Sequence, residues 1–143
     1  MLRSTPSDEL SIETLRAIRF AQLARLLISE SCNYPAAAPE FYAKISSNLA
    51  TVPDLAIEKA ALPFFQNKMS APDAQTALNF FSSAEGRAIS AKLAGTQPPQ
   101  LTDTEENALS HFKDSPQGTA LQEFLGNPQV LPAVVQAITS YAP

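Results

Sequence analysis

The chain holds one histidine, His111, and one cysteine, Cys32, and these are the first residues to weigh for chemistry. A thiol becomes a nucleophile at neutral pH only beside a base, and these two lie far apart in the sequence, so only the fold could join them. Nothing around either residue resembles a protease signature. One cysteine precludes an internal disulfide and leaves the redox compartment open. No Cys/His spacing suits zinc, no acidic spacing suits a calcium loop, and no glycine-rich loop is placed to cradle phosphate. The adjacent carboxylates Asp8-Glu9 and Glu105-Glu106 fall in first helical turns, where the helix dipole already accounts for them. The residues therefore indicate no catalytic group, no metal and no cofactor, and an enzyme ranks behind two binding roles.

Arg16 and Arg19 are the remaining charged candidates. They interrupt a wide apolar arc formed by Leu15, Ile18, Phe20, Leu23, Leu26 and Leu27. Their long stems can cover apolar surface while the heads reach water, and this is the preferred reading. The alternative is that they bind an acidic partner or ligand. With a net charge of −4, the chain lacks the clustered Lys and Arg that nucleic-acid binding requires. Residues 1–30 carry Arg3, Asp8, Glu9, Glu13, Arg16 and Arg19, so they contain neither an apolar signal core nor a membrane span.

The elements that would position these residues are helical. Thr5-Pro6-Ser7-Asp8-Glu9 reads as a capped start, followed by one long helix to about Ser31. Asn33 to Pro39 reads as a loop. Tyr42, Ile45, Leu49 and Val52 then form a 3-4-3 stripe. Pro53-Asp54 starts another helix, with Leu55, Leu62 and Phe65 inward and Pro63 expected to kink it. Leu131, Val134, Val135 and Ile138 mark a last helix.

Between these lies an internal repeat. Shifted by 32 residues, Ser70–Leu93 falls on Thr102–Leu125 without a gap, and Phe80/Phe112, Ser83/Ser115, Gly86/Gly118, Ala88/Ala120 and Leu93/Leu125 coincide. His111 falls on Asn79, which reads as a polar surface position. Each copy reads as cap, helix, Ser-x-x-Gly corner, second helix. Thr102 to Glu105 predicts a capping box, and Ser70 to Asp73 the same device with a shorter carboxylate. Pro116 ends one helix by Asp114 or Ser115 and supplies the first residue of the next. Gly86 and Gly118 sit near the third position of the second helix, where a missing side chain lets two backbones approach. An anion site at the same helix N-terminus is the alternative, but no Lys or Arg occurs in both copies to hold the anion.

The run Phe80-Phe81-Ser82-Ser83-Ala84-Glu85-Gly86 resembles a bacterial family of unknown function whose signature is Phe-Tyr-x-Ser-Pro-x-Gly. Phe112-Lys113-Asp114-Ser115-Pro116-Gln117-Gly118 keeps the Ser-Pro-x-Gly part more closely. The resemblance spans roughly residues 60–125. It departs at Phe81, where the family has tyrosine, and at Ala84, where it has proline. It implies an all-helical fold and export to the periplasm, with a leader removed and Met1 added; a cytoplasmic protein is the alternative. The family has no established reaction, so no catalytic residue carries over.

The expectation is therefore a single all-α domain over 1–143, a compact bundle of about seven to eight short helices. It contains duplicated helix–corner–helix units at about 69–95 and 101–127. The expected role is a non-enzymatic envelope interaction module, with a carrier of a small apolar or lipid-type ligand as the alternative. No oligomeric state follows from these residues. The candidate binding residues are Phe64, Phe65, Phe81, Phe124, Arg16 and Arg19, and the structural corners are Ser83, Gly86, Ser115, Pro116 and Gly118. Lys113 replaces Phe81 and Phe124 replaces Lys92 between the copies, so each lysine should mark a wet face and each phenylalanine a covered one. The copies should pack through Phe80 and Phe112. Phe81 should be covered by the N-terminal half, through Phe64, Phe65 and the long first helix, and Phe124 by the last helix, around Val134 and Ile138.

Overall fold

Capping residues set the helix boundaries. The computed structural model describes residues 5–32, 43, 45, 47–95 and 100–141, with the side chains of Ser31 and Cys32 outside that set. The Ser7 hydroxyl accepts from the Leu10 amide at 3.1 Å and opens α1 (Asp8–Ala17). α2 (Phe20–Cys32) follows, and Ala43, Ile45 and residues 47–49 are also helical. α3 (Asp54–Lys68) starts after Pro53, α4 (Ala71–Ser82) after Ser70, and α5 (Ala84–Leu93) after Ser83. α6 (Asp103–Lys113) starts after Thr102, α7 (Pro116–Leu125) after Ser115, and α8 is Val130–Ser140. Among the described residues there is no strand, so the protein is all-α. None of these helices is long and apolar enough to cross a membrane.

The first helix is a correction. One helix to about Ser31 is instead two, broken at Ile18-Arg19, where Arg19 adopts a left-handed φ of 59°. The break explains the over-wide apolar arc. Leu15 and Ile18 bury the face of α1, and Ala21, Ala24 and Ile28 bury a differently directed face of α2. The leucines expected inside are not: Leu23 and Leu26 are half-buried and Leu27 is exposed. In α3 the inward face is Ile57, Glu58, Ala61 and Phe65, whereas Leu55 is exposed and the helix runs on past Pro63. In α8 the buried residues are Val130, Val134 and Ile138, with Leu131 outside. Tyr42, the loop at 33–39 and the linker prolines at 98 and 99 lie outside the described residues.

α3 is the central element: it packs against α1, α2, α7 and α8. The two helix–corner–helix units meet reciprocally, α4 on α7 and α5 on α6, while α1 lies along α4. Two aromatic clusters fill the interior. Phe65 meets Phe124 edge-on at 5.3 Å between centroids, and Phe20 closes on Phe124 at 5.6 Å. Phe80 and Phe112 stack nearly parallel at 4.6 Å, with Phe81 edge-on to both. The near-parallel pair fits the offset stacking that ring quadrupoles favour.

The corners share one hydrogen-bond pattern. The Ser83 hydroxyl accepts from the Gly86 amide at 3.1 Å and donates to the Phe80 carbonyl at 2.6 Å. The Ser115 hydroxyl accepts from the Gly118 amide at 3.0 Å and donates to the Phe112 carbonyl at 2.5 Å. One hydroxyl thus satisfies an orphan donor of the new helix and an orphan acceptor of the old one. A Cβ on Gly86 would fall 1.9 Å from the Phe80 oxygen, and one on Gly118 1.9 Å from the Phe112 oxygen. The close approach is to the helix that has just ended, not to a more distant neighbour. Thr102 and Glu105 form the complete capping box. At the matching place only the serine arm is made, from Ser70 to the Asp73 amide.

Candidate functional site

A concavity of about 610 Å³ opens where α1 to α5 converge. Its floor includes Phe20 and Phe81, and its walls carry Arg16, Arg19, Arg87 and Glu58. Three of the candidates named from sequence, Arg16, Arg19 and Phe81, are therefore brought together. Phe65 and Phe124 are not: both are fully buried against each other, so they belong to the core and present nothing to a partner. Phe64 is half-buried and lines no part of this cleft. Phe124 meets the rings of Phe20 and Phe65 and shares one buried core with Val134 and Ile138 of α8. Phe81, 6% exposed, is covered as expected, with α1 packed along its own helix, α4.

Glu58 is the residue that sequence reading missed. It lies on the core face of α3 with its side chain 2% exposed. Arg16 Nε reaches both carboxylate oxygens, at 3.0 and 3.3 Å. A buried carboxylate needs such a partner, because desolvation otherwise drives it to the neutral form. Burial pushes the Glu58 carboxyl above its ordinary value, the Arg16 hydrogen bond and charge oppose this, and Asp54 adds a further upward push. Arg16 is thus engaged inside the fold through Nε, although its side chain remains 57% exposed at the cleft. The i, i+3 and i+7 spacing of Glu58 with Ala61 and Phe65 was the available signal, and Leu55 and Leu62 drew attention to the neighbouring face.

Arg25 removes a second carboxylate from play. It donates to the Leu49 carbonyl at 2.5 Å, the Val52 carbonyl at 2.8 Å and Asp54 Oδ1 at 2.6 Å. This fork ties the helical residues at 47–49 to the start of α3, a use for which arginine geometry is suited. The remaining cleft arginines are differently placed. Arg19 Nη1 has one long contact, 3.5 Å to Gln22 Oε1. The Arg87 guanidinium makes no hydrogen bond or ion pair among the described residues.

A second groove, about 570 Å³, runs over the Phe80–Phe112 stack and includes Thr76, Ala108 and His111. His111 is exposed there, as a surface position should be. The Lys92–Glu105 contact, 2.5 Å, joins α5 to α6. The Lys92 hydrogen bond, with the Thr102 amide next, holds the Glu105 carboxyl below its ordinary value. Lys92 is therefore tied down, whereas Lys113 is exposed. Among the described residues no group of His, Cys, Asp and Glu could hold a metal ion. The Cys32 side chain, and so any pairing of it with His111, lies outside the described residues. A scan against protein-family models, a search of curated proteins and a search of solved structures find no match.

Proposed function

We propose that the protein is a non-enzymatic interaction module that docks a polypeptide partner into the cleft between its N-terminal helices and its first helix–corner–helix unit. The observation that carries this reading is the cleft itself: arginines from α1, the α1–α2 turn and α5 stand around an aromatic floor. Arginine and aromatic groups in a desolvated hollow are the composition of binding hot spots. The setting we propose is the bacterial envelope, supported by the likeness of Phe80–Gly86 to the Phe-Tyr-x-Ser-Pro-x-Gly signature. The reciprocal packing of α4–α5 with α6–α7 supports an origin of the two units by duplication.

The test places a photoreactive benzoylphenylalanine at Ser82, an exposed cleft residue, and at Gln136, exposed on α8, as the control. In the native host, a discrete polypeptide adduct from position 82 and none from 136 is the expected result. Equal labelling at both positions, or none, refutes cleft docking.

A second reading, a carrier of a small apolar ligand, draws on the groove over the Phe80–Phe112 stack. Concave, mostly apolar hollows with a few placed polar groups suit such ligands. Mass spectrometry of gently purified protein showing a stoichiometric lipid or small apolar molecule would favour it over the first.

A further inference from the structure

We infer that the group the cleft recognises is a carboxylate, an acidic side chain of the partner held between Arg19 and Arg87 with its apolar stem on Phe20 and Phe81. This rests on the docking reading above and names its chemistry.

Three observations converge. The first is charge. Of the ionised groups lining the cleft, Arg16 is matched by Glu58, and Asp54 by Arg25. Arg19 and Arg87 then face only Glu13, which makes no ion pair among the described residues. Because Arg25 neutralises Asp54 from outside the lining, the three lining arginines meet only the two remaining carboxylates, an excess of one positive charge on a chain whose net charge is −4. One added carboxylate balances it, whereas a doubly charged phosphoryl group would overshoot.

The second is backbone conformation. Arg19 is the sole non-glycine residue with positive φ among the described residues, at the position after a helix end where glycine or asparagine is the low-cost choice. The left-handed conformation is unfavourable for a Cβ-bearing residue. The two buried faces of α1 and α2 enforce the turn, and residues strained in this way cluster at ligand clamps, so what calls for explanation is the use of an arginine side chain here. The use is not internal, because the head of Arg19 has only its long contact with Gln22.

The third is the floor. Phe20 and Phe81, 4% and 6% exposed, give the base of the cleft a small apolar edge beside the guanidinium groups, extended by Ala17, Ala21 and Leu78. A glutamate side chain has that division, a methylene stem and an anionic end, and arginine matches a carboxylate with two parallel hydrogen bonds.

The experiment follows the arginine Nε–H resonances by NMR as N-acetyl-Glu-Leu-amide is titrated into the full chain. Its Gln counterpart and inorganic phosphate serve as comparison probes. The expected result is a saturable shift at Arg19 and Arg87, binding about tenfold weaker with the Gln peptide, and no saturation with phosphate. Arg19→Gly should melt no lower than the parent, because it relieves the positive φ, and should bind the Glu peptide about tenfold more weakly. Arg87→Gln should show the same loss of binding. Equal affinity for the Glu and Gln peptides, saturation by phosphate, absence of a saturable shift at millimolar peptide, or unchanged binding by Arg19→Gly overturns the inference. If position 82 still gives a polypeptide adduct in that case, cleft docking stands and only the carboxylate falls.

Discussion

Replacing Gly118 with alanine adds a single methyl group, yet it should be among the most damaging small substitutions in the chain. An ideal Cβ there lies 1.9 Å from the Phe112 carbonyl oxygen, 2.7 Å from its carbon and 2.8 Å from the Lys113 Cα. All three atoms are backbone, so no rotamer change relieves the clash, and the end of α6 must move by more than 1 Å relative to α7 to reach ordinary contact, about 3.4 Å. That movement pulls the Phe112 carbonyl from the Ser115 hydroxyl and strains the cap from Ser115 to the Gly118 amide. Overpacking contributes about 1–3 kcal/mol and a weakened cap about 1 kcal/mol. The expected loss is therefore about 2–4 kcal/mol, or a melting temperature lower by roughly 10 °C for a chain of this size. Gly86→Ala should cost the same, since its Cβ would meet the Phe80 carbonyl oxygen at 1.9 Å. Gly95 is the internal control: its nearest atom would be the Lys92 oxygen at 3.4 Å, and its φ is not positive. Gly95→Ala should be neutral or slightly stabilising through the unfolded chain. Urea denaturation followed by far-ultraviolet circular dichroism measures all three at constant slope. If Gly118→Ala and Gly95→Ala have midpoints that agree within error, the corner is not set by backbone contact and the reasoning is wrong.

The stacked pair Phe80–Phe112 should show a coupling of about 0.5–1.5 kcal/mol in a double-mutant cycle to leucine, and strict additivity would contradict the 4.6 Å stack. Glu58→Gln should leave stability at neutral pH within about 1 kcal/mol, because Arg16 is 57% exposed and stays solvated while the Gln oxygen can still accept its hydrogen bond. Its pH signature has a definite sign. With the folded carboxyl raised above 4.5, the native form binds this proton more tightly than the unfolded chain. The stability of the parent relative to Glu58→Gln should accordingly fall as pH rises from 4.5 through the folded value; urea midpoints showing a constant or growing difference would refute this. Arg25→Lys should lower stability by about 1–3 kcal/mol, since one ammonium cannot reproduce the fork to Leu49, Val52 and Asp54, and an unchanged urea midpoint would show the fork to be incidental.

Local rules made much of the fold legible. Ser70, Ser83, Thr102 and Ser115 announce helix starts because a hydroxyl at the N-cap answers a donor three residues away, a relation contained within the segment itself. Pro116 and the corner glycines follow the same logic, and the pairing of Phe80 with Phe112 was implicit in the 32-residue register. The break at Arg19 was not legible. Arginine is a good helix former, and only the separate demands of two buried faces, Leu15 with Ile18 and Ala21 with Ala24 and Ile28, force the chain into a left-handed turn there. The same limit hid Glu58, whose burial depends on Arg16 arriving from α1, 42 residues away in the chain. It also hid the contact of Phe20 with Phe124, which the tertiary packing brings together with Phe65. Caps and corners are decided by atoms close in sequence, and so the sequence determined them. Which charges meet, which faces stay open and where a cleft forms depend on contacts between distant segments, and only the tertiary structure decided those.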